Sequence, residues 1–292
     1  MAKSEAVLVI GAGVAGIKAS LDMAEAGHSV YLCERKPSAG GTLVQMDKWF
    51  PDNHCSMCQI LPTLNRDRSS QNCLRRGLVH PNVELLLNAG VTELQGEAGD
   101  FKVTVSIRST GVDAQLCIGC GLCTEVCPVE VESQFDEGLG QKKAIDTSNP
   151  YVTPRQYAVD WEKCTRCGEC VSKCPTQAIH LEQKESTRQL QVGAIIVSTG
   201  FEEFDPRLAT QYGYRRYPNV ITSIELVRIL SPGGPVEGEL VRSSDGRAPA
   251  SIAFLQCIGS RDSRRDYCSS ACCMFAVKEA TLIKKAWPQT DV

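Results

Sequence analysis

"AVLVIGAGVAGIKASLDMAEAGHSVYLCE", residues 6–34, decides the fold of this chain. The apolar run Ala6 to Ile10 reads as a buried strand and breaks into Gly11-x-Gly13-x-x-Gly16. Ile17, Leu21 and Ala24 then recur at helical spacing, Gly27 marks the helix end, and a second strand, Ser29 to Cys33, stops at Glu34. Gly11 makes the tight turn, Gly13 lets backbone approach a pyrophosphate, and Gly16 permits close helix–strand packing. The helix N-terminus, at Val14 and Ala15, supplies oriented N–H groups for phosphate, and Glu34 is placed to accept hydrogen bonds from a ribose. A glycine turn without a ligand is the bland alternative. The strand, the helix and the terminal acid together argue against it. At this point FAD and NAD both remain open.

The rest of the composition narrows the class. The 292 residues suffice for one large domain or two medium ones, with 42% hydrophobic and 22% charged residues. A net charge of -3 shows no basic excess, so nucleic acid is not expected as a partner. No apolar run approaches the ~20 residues of a membrane span, and only five residues precede Ala6, so a cytoplasmic protein is expected. Sixteen cysteines are the outlying number, and most sit in tight clusters. That spacing points to metal in a reducing compartment, not to a disulfide framework.

"CIGCGLCTEVCP" (117–128) and "CTRCGECVSKCP" (164–175) both follow C-x2-C-x2-C-x3-C-P, the bacterial ferredoxin spacing. Three cysteines wrap three corners of a cluster, and the fourth is carried towards the other cluster. One [4Fe-4S] is thus expected on Cys117, Cys120, Cys123 and Cys174, the other on Cys164, Cys167, Cys170 and Cys127. A zinc ribbon needs two pairs, not two quartets. Between the runs, "ESQFDEGLGQKKAIDTSNP" reads as a loop or hairpin inside the module. "FKVTVSIRS" (101–109) alternates as a half-buried strand upstream, and "TRQLQVGAIIVSTG" resumes with a strand downstream. The ferredoxin unit therefore reads as an insertion into the first domain.

A further set, "CIGSRDSRRDYCSSACC", gives Cys257, Cys268, Cys272 and Cys273, enough for another cluster although the spacing is not a ferredoxin's. Unligated cysteines at the start of a helix over 269–286 are the alternative. The preceding "ASIAFLQC" reads as a strand. Four histidines (28, 54, 80, 180) are scattered, and no Ser/His/Asp or paired-carboxylate constellation appears. Cys33 and Cys73 read as buried residues that pack as small hydrophobes.

Two resemblances add to this reading. "RKPSAGGTL" resembles the continuation in two-dinucleotide flavoproteins, the thioredoxin reductase and glutamate synthase small-subunit group. By that resemblance Arg35, Gly40, Gly41 and Thr42 shape a flavin site, "AGVTEL" brings Val91 to the adenine, and Thr199 and Gly200 of "VGAIIVSTGFEEFDP" close over the cofactor, so FAD is implied. A short antiparallel meander is expected where the cysteine module is inserted. No second GxGxxG follows "ASIAFLQC", which argues against a pyridine nucleotide there.

"GGTLVQMDKWFPDNHCSMCQILP", the double ferredoxin run and "QCIGSRD…YCSSACCMFAVKEA" together resemble the A subunit of heterodisulfide reductase and its bacterial homologues. The family implies FAD in a thioredoxin-reductase-like α/β domain, several [4Fe-4S] clusters including one on Cys257, Cys268, Cys272 and Cys273, and flavin-based electron bifurcation. Other redox subunits, a ferredoxin, or hydrogenase or dehydrogenase subunits are the implied partners. Cys55 and Cys58 then either complete a cluster ligated elsewhere or line the flavin site unligated. Methanogen members are longer, so a partner subunit that completes the site, a short paralogue or a fragment is expected.

The expected fold is a Rossmann-like FAD domain of thioredoxin-reductase type carrying an inserted two-cluster α+β ferredoxin module. Its expected parts are 1–111, FAD domain; 112–185, ferredoxin module; 186–248, FAD domain resumed; and 249–292, a partial second dinucleotide-like domain with a cysteine cluster. The expected function is that of an electron-transfer oxidoreductase subunit that works within a complex. The alternative is an NAD(P)H-dependent flavin and iron–sulfur oxidoreductase resembling the glutamate synthase small subunit.

Overall fold

In the computed structural model of the chain, residues 4–46, 76–149 and 156–292 are described. β1 (Val7–Ile10) lies inside a parallel sheet of order β11-β1-β2-β3, with β2 (Val30–Cys33), β3 (Val83–Leu86) and β11 (Ala194–Val197). Val9 pairs with Leu32 on one side and Ile196 on the other. A strand covered on both faces has no solvent side to alternate towards, which is why β1 is apolar without interruption. α1 (Val14–Glu25) buries Ile17, Leu21 and Ala24, the stripe its spacing predicts. It ends at Ala26, after which Gly27 takes a left-handed φ of 95° and donates its N–H to the Ala24 carbonyl at 3.0 Å. A single-turn helix, α2 (Arg76–Val79), precedes β3.

The two faces of the sheet are covered differently. Ile17 and Ala24 of α1 pack with Val7, Val9, Val30 and Leu32. Leu8 and Cys33 point the other way, into Val103, Val105, Leu190 and Val192. These last residues belong to an antiparallel meander of order β10-β5-β4, made of β4 (Ala89–Glu97), β5 (Asp100–Ile107) and β10 (Ser186–Val192). The strand expected at 101–109 is β5, and the meander expected from the flavoprotein resemblance is present.

The cysteine module leaves the meander after Ile107 and returns at Ser186, and those two residues pair directly. It holds two antiparallel strand pairs, β6 (Glu130–Glu132) with β7 (Gln141–Lys143) and β8 (Ile145–Thr147) with β9 (Tyr157–Val159). α3 (Leu122–Val126) and α4 (Glu169–Lys173) are single-turn helices, each entered through a left-handed glycine, Gly121 or Gly168. Each helix also ends on an extended cysteine, Cys127 at ψ 120° and Cys174 at ψ 113°. Pro128 and Pro175 explain this, since the residue before proline is driven out of the helical region. Val112, Ile145, Tyr157, Val159, Ala178 and Ile179 form the module's own core.

Contacts group the chain into two compact units. The sheet, the meander and most of the cysteine module make the first. Phe201–Val292, with Asp136–Gly140 and Gln45, belong to the second. In the second unit α5 (Ser223–Leu230) opens on a capping box between Thr222 and Glu225. With α6 (Cys272–Ala286) it encloses a core of Leu226, Leu240 and Ile283. Arg228 of α5 is fully buried and donates to Asp136 at 2.9 Å, to the Gln45 carbonyl at 3.0 Å, to Ser231 Oγ at 3.2 Å and to the Gly233 carbonyl at 3.1 Å. The strand expected over 250–257 is absent: this stretch is irregular, and among the described residues its one bridge joins Ser251 to Asp291. The helix expected over 269–286 begins at Cys272.

Candidate cofactor sites

The glycine turn separates into residues the fold requires and one it does not. Gly11 has φ 100°, and a Cβ there would lie 2.3 Å from the Ser198 carbonyl oxygen. A Cβ on Gly16 would lie 1.8 Å from the Gly11 carbonyl oxygen. Around Gly13 nothing among the described residues stands within 4 Å of such a Cβ. Gly13 is also the N-cap of α1 and offers no side chain to the first-turn amides of Val14, Ala15 and Gly16. The open side of the turn therefore faces a space rimmed by N–H groups without a partner among the described residues, which suits a pyrophosphate.

Neighbouring predicted residues close around this turn. The Gly40 N–H donates to the Ala12 carbonyl at 2.7 Å, and a Cβ on Gly41 would come 3.0 Å from Gly13 Cα, so Gly40, Gly41 and Thr42 fold back on the cradle. Ser198 donates its N–H to the Ile10 carbonyl, which sets Thr199 and Gly200 beside Gly11 at the C-terminal edge of the sheet. The buried Glu34 accepts from the Ala12 amide at 2.8 Å and from the Lys36 amide at 2.9 Å. Each of its oxygens keeps a further lone pair for a ribose hydroxyl. Glu34 thus also pins the loops that carry the site, a role not legible in the fingerprint. The Arg35 carbonyl receives Arg108, and the Ala89 N–H reaches the Glu34 carbonyl, setting Val91 on the adjoining strand. These residues fit a dinucleotide.

The eight ferredoxin-type cysteines ring two cavities. Cys117, Cys120, Cys123 and Cys174 line one, with Tyr157, Thr176 and Ile179 among their neighbours. Cys127, Cys164, Cys167 and Cys170 line the other, with Val129, Thr165 and Leu181. Each ring takes three cysteines from one run and the fourth from the other, the grouping expected from the spacing. Among the described residues no three His, Cys, Asp or Glu side chains converge tightly enough to grip a single ion; the thiols stand around a volume instead.

The thiols are electrostatically unequal. Burial pushes Cys123 up to about 11 and raises Cys170, where the charges of Cys164 and Cys167 add to the effect. Burial opposes ionisation at Cys174 too, yet hydrogen bonds from Thr176 and the Ala178 amide hold it below the usual thiol value. The Ala178 N–H lies 3.2 Å from its sulfur. Amide donors of this kind favour thiolate and tune a bound cluster.

In the second unit Cys257, Cys268 and Cys272 all come within electrostatic reach of Cys273. Cys257 is held at φ 61°, unusual for a residue with a side chain. The Ser270 amide lies 3.3 Å from the Cys268 sulfur. A hydrogen bond from Ser269 lowers Cys272, and the neighbouring charge of Cys272 raises Cys273. Cys272 opens α6, where the helix N-terminus favours thiolate. Cys55, Cys58, Cys73 and His54 lie outside the described residues.

Comparisons with known proteins follow this division. Residues 6–67 match a family described as FAD dependent oxidoreductase, and residues 116–179 match a 4Fe-4S dicluster domain. An iron-sulfur A subunit of CoB--CoM heterodisulfide reductase from Methanopyrus kandleri is 47% identical over 99% of this chain and 43% of its own length. Its counterpart from Methanocaldococcus jannaschii is 43% identical, with 98% and 42% covered. The A subunit of the H(2):CoB-CoM heterodisulfide,ferredoxin reductase of Methanothermobacter marburgensis is 40% identical, with 98% and 42% covered. The chain therefore spans about two fifths of the length of these relatives.

Proposed function

Since this chain belongs by sequence to the family of heterodisulfide reductase iron–sulfur A subunits, we propose that it is the flavin- and cluster-bearing electron-transfer core of such a subunit. The observation that carries this is the exchange of fourth cysteines, Cys127 and Cys174, between two rings in a module spliced into a dinucleotide-binding domain.

In this reading Gly11, Gly13, Val14, Ala15, Gly16, Glu34, Arg35, Gly40, Gly41, Thr42, Val91, Thr199 and Gly200 hold FAD. The two ferredoxin-type quartets hold one [4Fe-4S] each, and Cys257, Cys268, Cys272 and Cys273 hold a third. Bound flavin exchanges electron pairs and bound clusters exchange single electrons, chemistry that belongs to the cofactors. The chain's residues contribute position and field. First-turn amides of α1 neutralise phosphate, Glu34 fixes a ribose, and the Ala178 amide with Thr176 favours the charged sulfur of Cys174.

The reading divides the chain at 1–111, 112–185, 186–248 and 249–292, which the pairing of Ile107 with Ser186 supports for the insertion. It places the protein in the cytoplasm, in a heterodisulfide-reductase-like complex with other redox subunits, a ferredoxin, or hydrogenase or dehydrogenase subunits. It includes electron bifurcation at the flavin. Among the described residues no helix is long and apolar enough to cross a membrane.

The test is anaerobic purification with iron, sulfide, zinc and flavin counts. About one FAD and about twelve iron atoms per chain are expected from three four-iron clusters. About eight iron atoms removes the third cluster. Zinc without iron overturns the proposal.

A further inference from the structure

Glu279 of α6 is completely buried, and neither carboxylate oxygen has a hydrogen-bond partner among the described residues. It stands about two turns, roughly 10 Å along the axis, beyond Cys272. Residues so spaced fall on nearly the same helix face. An ionised carboxylate in such a place is strongly disfavoured. For packing alone, an apolar side chain of this size serves better. Burial pushes the Glu279 carboxyl up to about 8, against the pull of Lys278 and of Ser223, with Glu203 adding to the rise.

The groups acting on Glu279 come from three elements. Lys278, from the same helix, is buried with its ammonium 5.1 Å from the Phe275 ring centroid. Ser223, in the first turn of α5, approaches without completing a hydrogen bond to either oxygen. Glu203 lies in the segment before Pro206 and keeps contact with solvent. Its own carboxyl is raised by partial burial and by the charges of Glu137 and Glu225. One carboxyl that reaches water and is disposed to hold a proton thus stands within electrostatic reach of one that is sealed.

We propose that Glu279 is the proton-accepting partner of the third cysteine set, taking up a proton as an electron arrives there wherever the oxidised protein has released it. This rests on the reading that Cys257, Cys268, Cys272 and Cys273 hold a cluster. One electron passes from a low-potential one-electron donor, such as a reduced flavin or ferredoxin, to the iron of that cluster. One proton passes from water to Glu279, where an O–H bond forms, and Glu203 is the relay. Reoxidation returns both. The added electron makes the nearby carboxylate less favourable still, so the reduced state holds the proton more tightly. Reduction must therefore become harder as pH rises above the point where the oxidised protein releases it.

The experiment titrates the full chain, prepared without oxygen, in redox potential from about pH 6.5 to about 9.5, following each cluster by EPR, with Glu279→Gln in parallel. The expected result is one cluster whose potential is level below about pH 8 and falls above it, by at most a tenfold change in reduced-to-oxidised ratio per pH unit, about 59 mV. Glu279→Gln flattens that fall and leaves the other clusters unchanged. A pH-independent potential in the wild type, or an identical fall in the variant, overturns the proposal. Should the variant lose its cluster, infrared difference spectra of the wild type decide: a glutamic acid carbonyl band that grows on reduction supports it, and an unchanged spectrum overturns it. A preparation with two clusters only, by iron count and EPR, instead removes the third-cluster reading on which this rests.

Discussion

The Glu34 carboxylate accepts the backbone N–H of Ala12, 2.8 Å away, so the acid at the end of the second strand fixes the turn that follows the first. Its other oxygen takes the Lys36 amide at 2.9 Å. Replacing Glu34 with Ala leaves two loop amides without their charged acceptor, which costs about 2–4 kcal/mol on typical values for such bonds. Denaturant unfolding of the flavin-free chain checks this, because the loss is then independent of any ribose contact.

Gly13 and Gly16 separate ligand binding from folding. At Gly16 a methyl group meets backbone at 1.8 Å, so Gly16→Ala must displace the turn or the helix and yields little folded protein. At Gly13 the methyl enters open space, so Gly13→Ala stays within about 1 kcal/mol of wild-type stability, the N-cap change included. Flavin titration of the Gly13 variant shows at least a tenfold weaker affinity if the pyrophosphate lies in that space. Unchanged affinity would sink this placement.

The crossed rings give a test by pairs. Cys127→Ser with Cys164→Ser damages one ring, whereas Cys127→Ser with Cys117→Ser damages both. Iron counts drop by about four atoms in the first double variant and by about eight in the second. The reverse order would mean that each run holds its own cluster.

Arg228 is the most costly charge to disturb in the second unit. Its guanidinium is fully buried and serves Asp136, Ser231 and two backbone carbonyls. Arg228→Met removes these bonds and is expected to destabilise by about 3–5 kcal/mol, read by chemical unfolding with a probe in this unit. Adding Asp136→Asn to that variant recovers part of the loss, since a part-buried carboxylate charge is removed with its guanidinium.

What was legible in the sequence had a period or a fixed spacing. The strand, turn and helix of residues 6–34 follow from apolar recurrence, and the exchange of Cys127 and Cys174 follows from the proline after each, which straightens the chain at that point. The strand expected from "ASIAFLQC" failed because apolar alternation needs a partner strand, and among the described residues the Ser251–Asp291 bridge is all that pairs there. Arg228 and Glu279 were illegible for a related reason. A charged residue inside a helix reads as a solvated face until tertiary packing closes over it.

Both strands that lead into and out of the cysteine module end on the same antiparallel rung, Ile107 opposite Ser186. The module therefore enters and leaves the meander through one rung, while its Asp136 is held a second time by Arg228. Cut out at that rung and replaced by a tight turn, it leaves a hairpin whose register is already set. Excision would thus leave the meander its register but take from Arg228 the carboxylate it is buried against.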